Sequence, residues 1–217
     1  MRSETKVTAA VAVVVLAVLL AYVVVQATTS EEPASAAESA GVLVRDDSHR
    51  LGTPAPDDEV VLVEFLDLEC ESCRAVFPFV EQLRETYEGR VTFVLRYFPL
   101  PGHANAENAA WAVEAAAQQD ALEPMYQRMY QTQAQWGERQ DSQAALFRTF
   151  ADDLGLDLDR YDADVASTTT RERVARDYED GLALGVSGTP TFFLDGRQLR
   201  PSTPEDFTAA IDAALAD

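Results

Sequence analysis

The sequence predicts an α/β fold, and two stretches of the chain indicate it. Residues 60–66 form a short run rich in valine that is apolar except at Glu64, which is typical of a strand buried on both faces. From Val76 to Tyr87 apolar residues recur with helical spacing, and residues 91–97 alternate as a second strand. A strand, a helix and a strand of these lengths form a right-handed parallel crossover unit.

A second group of elements is expected near the end of the chain. Two glycines and the pair Thr189-Pro190 precede an apolar strand. An Asp-Gly dipeptide follows at position 195 and is the strongest short-range signal of a β-hairpin. Residues 197–199 are expected to pair back, and a Thr-Pro dipeptide at position 203 begins a last helix.

The middle of the chain is predicted to be helical. Residues 105–184 are rich in Ala, Gln, Arg and Glu, and their apolar residues recur with helical spacing. Trp111 and Trp136 in this part are interpreted as core residues rather than as a cofactor site. At the other end of the domain, a short opening strand is expected at residues 42–44.

An apolar segment near the N-terminus predicts a membrane anchor. Residues 7–25 contain no charge, and at about 1.5 Å per residue a helix of this length spans nearly the 30 Å of a bilayer core. Arg2 and Lys6 precede the segment, so the positive-inside rule places residues 1–6 in the cytoplasm. The alternative is a signal peptide cleaved near Ala27. The apolar run is longer than a usual signal core, which favours an uncleaved anchor.

The rest of the chain is expected to be exported. Residues 26–42 are rich in Ala, Ser, Thr and Glu and are interpreted as a flexible linker, followed by one domain over residues 43–217. The formal net charge of the 217-residue chain is −20. Such a surface argues against nucleic acid or anionic membrane surfaces as partners, and a solvated acidic face is the simpler interpretation.

The two cysteines of the chain belong to one motif, Cys70-Glu71-Ser72-Cys73. The motif lies where the first strand ends and its helix begins, so Cys70 is expected at the helix N-terminus. There, unpaired N–H groups and the helix dipole favour thiolate over thiol. Cys73, one turn further on, could attack a mixed disulfide on Cys70 and release the partner. The motif therefore predicts thiol–disulfide exchange.

Three other interpretations of the cysteine pair are weaker. A structural zinc site needs four ligands, and beyond the cysteines the chain offers only His49 and His103, so no metal site is predicted. A structural disulfide in so short a loop would remove little entropy from the unfolded chain. A chance pair is not expected at this junction in a chain with no other cysteine. His103 lies in a predicted loop and is interpreted as structural or exposed.

Glu64 is the one charged residue of the first predicted strand. A carboxylate in a buried strand is costly unless it is paired or protonated, so Glu64 could take the proton from Cys73 and have a raised pKa. The alternative is an edge glutamate that faces solvent. Asp67, Glu69 and Glu71 add negative charge around the cysteines and are expected to oppose a very low thiol pKa.

Residues 65–73 resemble the active-site segment of the DsbA-like thiol–disulfide oxidoreductases of the thioredoxin superfamily. The closest likeness is to the membrane-anchored, exported branch found in Gram-positive bacteria. Glu64 falls where this family carries its buried acid, and Pro78 falls where thioredoxin-like helices carry a kink. Residues 96–105 resemble the loop that leads into the family's helical insertion, and residues 185–194 resemble its cis-proline loop.

The resemblance implies a thioredoxin fold in two sequence pieces with an inserted helical subdomain. The thioredoxin pieces are residues 43–101 and 185–217, and the insertion is residues 102–184. The Thr189–Pro190 bond is implied to be cis and to face the cysteines, with the Thr189 backbone free to pair with an extended substrate. From the residues alone, an ordinary trans proline at a strand start is the alternative.

The resemblance also implies an activity and its residues. Cys70, Cys73 and Glu64 would be catalytic, and Thr189 and Pro190 would bind substrate. The expected reaction forms disulfides in reduced or unfolded exported polypeptides, with no cofactor beyond the redox-active cysteine pair. The family implies a quinone-linked membrane partner that reoxidises the pair. The expected location is the cell membrane, with a single span, a cytoplasmic N-terminus and an extracytoplasmic catalytic domain.

Three rival functions stay open. The first is the same chemistry in reverse, as a reductase or isomerase, which the acidic neighbours of Cys70 favour slightly. The dipeptide between the cysteines, which tunes the stability of the thiolate, is Glu-Ser where the best-known strong oxidants have Pro-His, so it leaves the direction of the reaction open. The second is a non-catalytic, chaperone-like binding module on the same fold. The third, a glutathione-dependent isomerase, is weaker because such enzymes do not need a Cys-X-X-Cys pair. The natural substrates and the oligomeric state are also left open.

Overall fold

The computed structural model describes residues 42–216, except for the side chain of Asp57. The N-terminus predicted to be cytoplasmic (residues 1–6), the predicted anchor (7–25) and nearly all of the predicted linker (26–42) lie outside the described residues. None of the helices within residues 42–216 has the length and apolar character needed to cross a membrane.

Five strands, a short 3₁₀ helix and seven α-helices lie within the described residues. The strands are β1 (His49–Leu51), β2 (Val61–Leu66), β3 (Thr92–Tyr97), β4 (Thr191–Leu194) and β5 (Arg197–Leu199). The helices are α1 (Glu71–Thr86), α2 (Ala106–Ala117), α3 (Leu122–Trp136), α4 (Ala144–Asp153), α5 (Leu158–Ala166), α6 (Thr168–Ala183) and α7 (Pro204–Ala214), and the 3₁₀ helix is Pro56–Asp58.

The five strands form one mixed sheet in the order β1-β3-β2-β4-β5. The central strand β2 is parallel to β3 and antiparallel to β4, and helix α1 connects β2 to β3. Helices α2 to α6 are inserted between β3 and β4. This arrangement confirms the predicted α/β fold with a helical insertion.

The two faces of β2 contribute to two different apolar clusters. Leu62 and Leu66 belong to the cluster that includes side chains of α1 and α7. Val63 and Phe65 belong to a second cluster on the opposite face of the sheet. Because successive side chains of a strand alternate between faces, Glu64 points to the same side as Leu62 and Leu66, towards α1.

Helix α6 approaches the second cluster closely at a glycine. A Cβ atom at Gly181 would lie 2.6 Å from Cδ2 of Phe98 and 3.1 Å from Cδ1 of Phe65. Both aromatic rings are buried, and they meet edge to face with their centroids 6.3 Å apart. The absence of a side chain at position 181 therefore lets α6 pack directly against the rings beneath the sheet.

A buried arginine joins the sheet to the helical insertion. Arg96 of β3 is fully buried, and its Nε donates to Asp177 of α6 at 2.7 Å. One of its terminal nitrogens donates to Asp180, and the other donates to the carbonyl of Leu43 at 2.6 Å. Because each nitrogen of the guanidinium donates to an acceptor, this buried positive charge is stabilised in the interior.

The predicted opening strand at residues 42–44 is wrong. Val42 and Leu43 are helical, and the first strand is β1, formed by His49, Arg50 and Leu51. β1 is an edge strand that pairs with β3 alone, so its half-exposed polar residues do not produce an apolar pattern. Leu43 is instead buried as a side chain in the second apolar cluster, which does not require extended backbone.

Candidate active site

The two cysteines lie at the start of α1, directly after the turn that follows β2. Cys70 is the N-cap residue of α1, with extended backbone angles, and Cys73 is in the first turn. The turn is closed by two hydrogen bonds, from the Glu69 N–H to the Asp67 carboxylate at 2.8 Å and from the Cys70 N–H to the Asp67 carbonyl at 3.2 Å. Both cysteines are free thiols, with side chains largely buried.

Cys70 is the thiol that this environment activates. Its pKa is lowered to about 5, chiefly by the hydrogen bond with the Cys73 thiol and also by the N–H groups of Ser72 and Cys73. The Thr189 hydroxyl, buried and without another partner among residues 42–216, helps to lower this pKa. Burial opposes these effects but does not outweigh them. A thiol with so low a pKa is a thiolate at neutral pH.

Cys73 is held in the opposite protonation state. Burial raises the pKa of its thiol, and the hydrogen bond to Cys70 and the negative charge of Glu64 raise it further. Its side chain is 1% exposed, so a polypeptide in solution has no direct access to this sulfur. The two cysteines therefore differ in protonation: Cys70 is suited to be the attacking thiolate, and Cys73 is a protected thiol.

Glu64 occupies the middle of the central strand, below the cysteines. It lies opposite Leu95 on β3 and Phe192 on β4, so the sequence alternative of an edge glutamate is wrong. Burial, and then the charge of Glu81, raises its pKa to about 8. Glu64 can therefore hold a proton at neutral pH and release it within the physiological range.

The loop before β4 faces Cys70. The Thr189–Pro190 bond is cis, as the resemblance implies, and the Cys70 sulfur lies 3.4 Å from the Thr189 carbonyl oxygen. The Thr191 hydroxyl donates to the Gly188 carbonyl at 2.8 Å and fixes the loop where the strand begins. The structure thus brings together five residues that the sequence singled out: Cys70, Cys73, Glu64, Thr189 and Pro190.

Two acidic residues near the cysteines have a role that the sequence did not indicate. Asp67 accepts hydrogen bonds from the N–H of Leu100 at 2.9 Å and from His103 Nδ1 at 2.6 Å. Glu69 accepts from the N–H of Asn105 at 2.6 Å. Their carboxylates are bound to the loop that enters the helical insertion. The pKa of the Cys70 thiol is set chiefly by hydrogen bonds from Cys73, Thr189 and the backbone, so it is low although these acids lie nearby.

The helical insertion also holds the active-site turn through α3. The Gln133 side chain donates to the carbonyls of Leu68 at 2.7 Å and Cys70 at 3.0 Å, and the Tyr130 hydroxyl donates to the Asp67 carbonyl at 3.3 Å. Sequence reasoning missed these residues because a buried glutamine or tyrosine on a helix has no local signal of what it contacts. Within residues 42–216, no cluster of three or more His, Cys, Asp and Glu side chains is arranged to hold a metal ion.

His103 lies next to the active-site turn. The sequence favours a structural or exposed histidine, and the structure places its ring on the buried Asp67 carboxylate with about a quarter of the side chain exposed. Burial alone would lower the pKa of His103, but the hydrogen bond to Asp67 and the charges of Asp67 and Glu69 raise it. The sequence offers no signal for this pairing because the two residues are 36 positions apart.

Comparison with known proteins agrees with this fold. The family model described as Thioredoxin matches residues 45–213, and the chain belongs to this family. Among solved structures, it resembles a thioredoxin-like oxidoreductase from Silicibacter pomeroyi, with a TM-score of 0.66 and 24% identity over 82% of this chain and 98% of that one. The thiol-disulfide exchange protein alpha-DsbA2 from Wolbachia pipientis gives a TM-score of 0.68 and 19% identity, covering 82% of this chain and 92% of that one. The fold is that of the DsbA-like thiol–disulfide oxidoreductases, as the resemblance implied.

Curated relatives include larger proteins. The Na(+)/H(+) antiporter NhaA of Herminiimonas arsenicoxydans is 35% identical over 163 residues, which cover 73% of this chain and 24% of the antiporter. NhaA 3 of Salinispora tropica is 36% identical over 159 residues, which cover 72% of this chain and 23% of that protein. The chain therefore spans about a quarter of the length of these relatives.

Proposed function

We propose that this chain is an exported thiol–disulfide oxidoreductase that forms disulfide bonds in exported polypeptides. The observation that carries the proposal is the contrast between the two thiols, one with a lowered pKa and one with a raised pKa, beside a cis-proline loop. Only the thiolate form of a cysteine attacks or leaves readily in disulfide exchange. The site therefore has one cysteine suited to contact substrate and one suited to resolve the intermediate.

The reaction begins with Cys70 and Cys73 joined as a disulfide. A substrate thiolate attacks the Cys70 sulfur, the Cys70–Cys73 bond breaks, and Cys73 leaves as a thiolate that takes a proton from Glu64. A second substrate thiolate then attacks the substrate sulfur of the mixed disulfide, and Cys70 leaves as a stable thiolate. Two electrons have passed from the substrate dithiol to the cysteine pair, and the substrate holds a new disulfide.

The low pKa of Cys70 supports the oxidising direction over the reductase alternative. A thiolate that is stabilised by the protein stabilises the reduced form of the pair, which makes the disulfide form a stronger oxidant. Low-pKa thiols are also good leaving groups in the second step. The Glu-Ser dipeptide does not prevent this, because the hydrogen bonds to Cys70 come from Cys73, from Thr189 and from the backbone.

The cis-proline loop supports a polypeptide as substrate. Thr189 and Pro190 are half-buried beside Cys70 and precede β4, so an extended peptide could pair with the Thr189 backbone while its cysteine reaches Cys70. The proposed substrates are reduced or unfolded exported polypeptides. No cofactor beyond the cysteine pair enters the proposed reaction.

The export and anchoring of the domain belong to the same proposal. The uncharged segment at residues 7–25, with Arg2 and Lys6 before it, supports a single membrane span with the catalytic domain outside. A membrane partner linked to quinones would then reoxidise the pair, as the resemblance to the exported branch implies.

The proposal is tested by oxidative refolding of reduced ribonuclease A with the wild-type chain and with Cys70→Ser. We expect the variant to lose all activity, because it lacks the attacking thiolate. Ser72→Ala, an exposed change between the cysteines, is the matched control and should retain activity. If Cys70→Ser refolds ribonuclease as well as the wild type does, the oxidase proposal is wrong. If Cys70→Ser and the wild type suppress ribonuclease aggregation equally and neither forms disulfides, the chain is a binding module rather than an oxidase.

A further inference from the structure

The turn that carries Cys70 is held at one side chain, Asp67, which lies three residues before the cysteine. The Asp67 carboxylate is fully buried and accepts three hydrogen bonds, from the N–H groups of Glu69 at 2.8 Å and Leu100 at 2.9 Å and from Nδ1 of His103 at 2.6 Å. Its carbonyl oxygen accepts from the Cys70 N–H at 3.2 Å. Asp67 therefore connects the turn of the attacking cysteine to the loop that carries His103.

That loop closes around the same carboxylate. The His103 N–H donates to the Leu100 carbonyl at 3.0 Å, so residues 100–103 form a β-turn with Pro101 in the position where proline is favoured. The Leu100 N–H and the His103 ring lie at the two ends of this β-turn, and both bind Oδ2 of Asp67. The backbone of the loop thus fixes the His103 ring on Asp67.

Asp67 brings a charge problem as well as a hydrogen-bond acceptor. A carboxylate and the Cys70 thiolate are two negative charges at the two ends of one short turn, and like charges disfavour each other. Burial raises the pKa of Asp67, whereas the hydrogen bonds from Leu100, Glu69 and His103 oppose that rise. A positively charged imidazole on Asp67 would both keep it ionised and offset its charge towards Cys70.

The surroundings favour the charged form of His103. Burial lowers its pKa, but Asp67, Glu69 and the Cys70 thiolate together raise it above the ordinary value of 6.5. The charged and titratable groups around the ring are Asp67, Glu69 and Cys70 of the turn, Glu71 of α1, and Glu107 of α2 with Arg171 and Tyr178 of α6 in a pocket of about 480 Å³. Most of these groups are acids, and the guanidinium of Arg171 is stacked on the Trp111 ring at 4.2 Å.

We propose that His103 is a positioning residue for the attacking cysteine: it holds the Asp67 carboxylate in the turn and offsets its negative charge, which stabilises Cys70 as a thiolate. The inference rests on the proposed function, in which Cys70 attacks and leaves as a thiolate. The interaction is mutual, because the Cys70 thiolate favours the imidazolium and the imidazolium must favour the thiolate to the same extent. His103 acts through Asp67 and does not itself contact the reacting sulfurs.

The proposed role favours the oxidising direction of the reaction. The Cys70 sulfur is uncharged in the disulfide and in the mixed disulfide, and it becomes a thiolate when it leaves in the last step. A positive charge that remains beside the turn stabilises this reduced state more than either oxidised state. His103 keeps its proton throughout, so no proton transfer is assigned to it.

The test is a pH titration of the ultraviolet absorbance of the thiolate in the reduced full chain, held in detergent micelles. We expect a Cys70 midpoint near 5 in the wild type. His103→Asn keeps an N–H donor for Asp67 but removes the positive charge, so its midpoint should be roughly 1 higher and its reduction potential more negative. The matched control His49→Asn changes the other histidine of the chain, which contacts Glu114 at 2.5 Å, and should leave the Cys70 midpoint in place.

Asp67→Asn gives an independent test if His103→Asn does not fold. It removes the negative charge that His103 offsets, so the Cys70 midpoint should fall below the wild-type value. Adding His103→Asn to this variant should bring the midpoint back to near 5. The proposal is overturned if the midpoint stays at the wild-type value in His103→Asn, or does not fall in Asp67→Asn. The titration needs no substrate, so its result is independent of whether Cys70→Ser supports the proposed oxidase activity.

Discussion

At the residue scale, the site is built on opposed protonation states of groups that lie close together. Cys70 has its pKa lowered to about 5 by hydrogen bonds, whereas burial raises the pKa of Cys73 and raises that of Glu64 to about 8. The difference arises from position: Cys70 caps a helix, and the other two side chains face the sheet–helix interface. Because their pKa values are shifted in opposite directions, Cys70 is ready to attack and Glu64 is ready to donate a proton before any substrate binds.

Glu64 should make the stability of the protein depend on pH. Its pKa is about 8 in the folded chain against 4.5 ordinarily, so between these values the folded state binds more protons than the unfolded state. The free energy of unfolding therefore falls as pH rises through this window. A pKa that differs by 1 between the folded and unfolded states contributes about 1.4 kcal/mol. We expect Glu64→Leu to remove roughly 2–5 kcal/mol of this decline between pH 5 and 8.5, measured by urea unfolding.

A matched comparison completes that prediction. Glu88→Gln, which removes an exposed acid, should keep the wild-type slope of stability against pH. If the free energy of unfolding depends on pH in the same way in the wild type and in Glu64→Leu, the pKa of Glu64 is not raised by folding.

At the element scale, α6 and α1 position the site from opposite faces of the sheet. α1 continues through Pro78, carries both cysteines at its start, and covers the face towards which Glu64 points. α6 packs on the other face, where Gly181 meets the rings of Phe98 and Phe65. The sheet between them fixes the distance from β2 to both helices.

The contact at Gly181 predicts the cost of adding one methyl group. Alanine normally favours a helix over glycine by about 1 kcal/mol, but a Cβ atom here would lie 2.6 Å from a buried ring carbon. Because overpacking a core usually costs about 1–3 kcal/mol, we expect Gly181→Ala to lower the free energy of unfolding by about that amount. Urea unfolding would measure it. If Gly181→Ala is more stable than the wild type, α6 and the rings of Phe98 and Phe65 can move apart to admit the methyl group without loss of packing energy.

Sequence reasoning succeeded at this scale where the signal was local. The apolar run of β2, the helical spacing of α1 and the Asp-Gly turn before β5 each lie within one short segment. It failed for β1, because an edge strand of three residues is defined by its pairing with β3, more than 40 positions away. The contacts of Asp67 with His103 and of Gln133 with Leu68 could not be predicted either, because each joins residues that are far apart in the sequence.

At the scale of the whole molecule, the helical insertion is bound to the thioredoxin-like part of the fold at several places, which include hydrogen bonds from Gln133 of α3 to the active-site turn. Arg96 joins β3 to Asp177 and Asp180 of α6 in the interior. Asp67 and Glu69 join the active-site turn to the loop that enters the insertion. The turn that carries Cys70 is therefore held from both parts of the fold, which favours a rigid site over one that forms on binding.

These features of residue, element and molecule converge on one central claim, that the cysteine pair is an oxidant. The most direct measurement is the reduction potential of the Cys70–Cys73 couple, by equilibration of the full chain with glutathione buffers. The stabilised Cys70 thiolate predicts a value close to that of a strong oxidant, about −120 mV. A value near that of thioredoxin, about −270 mV, would make the pair a reductant and contradict the account.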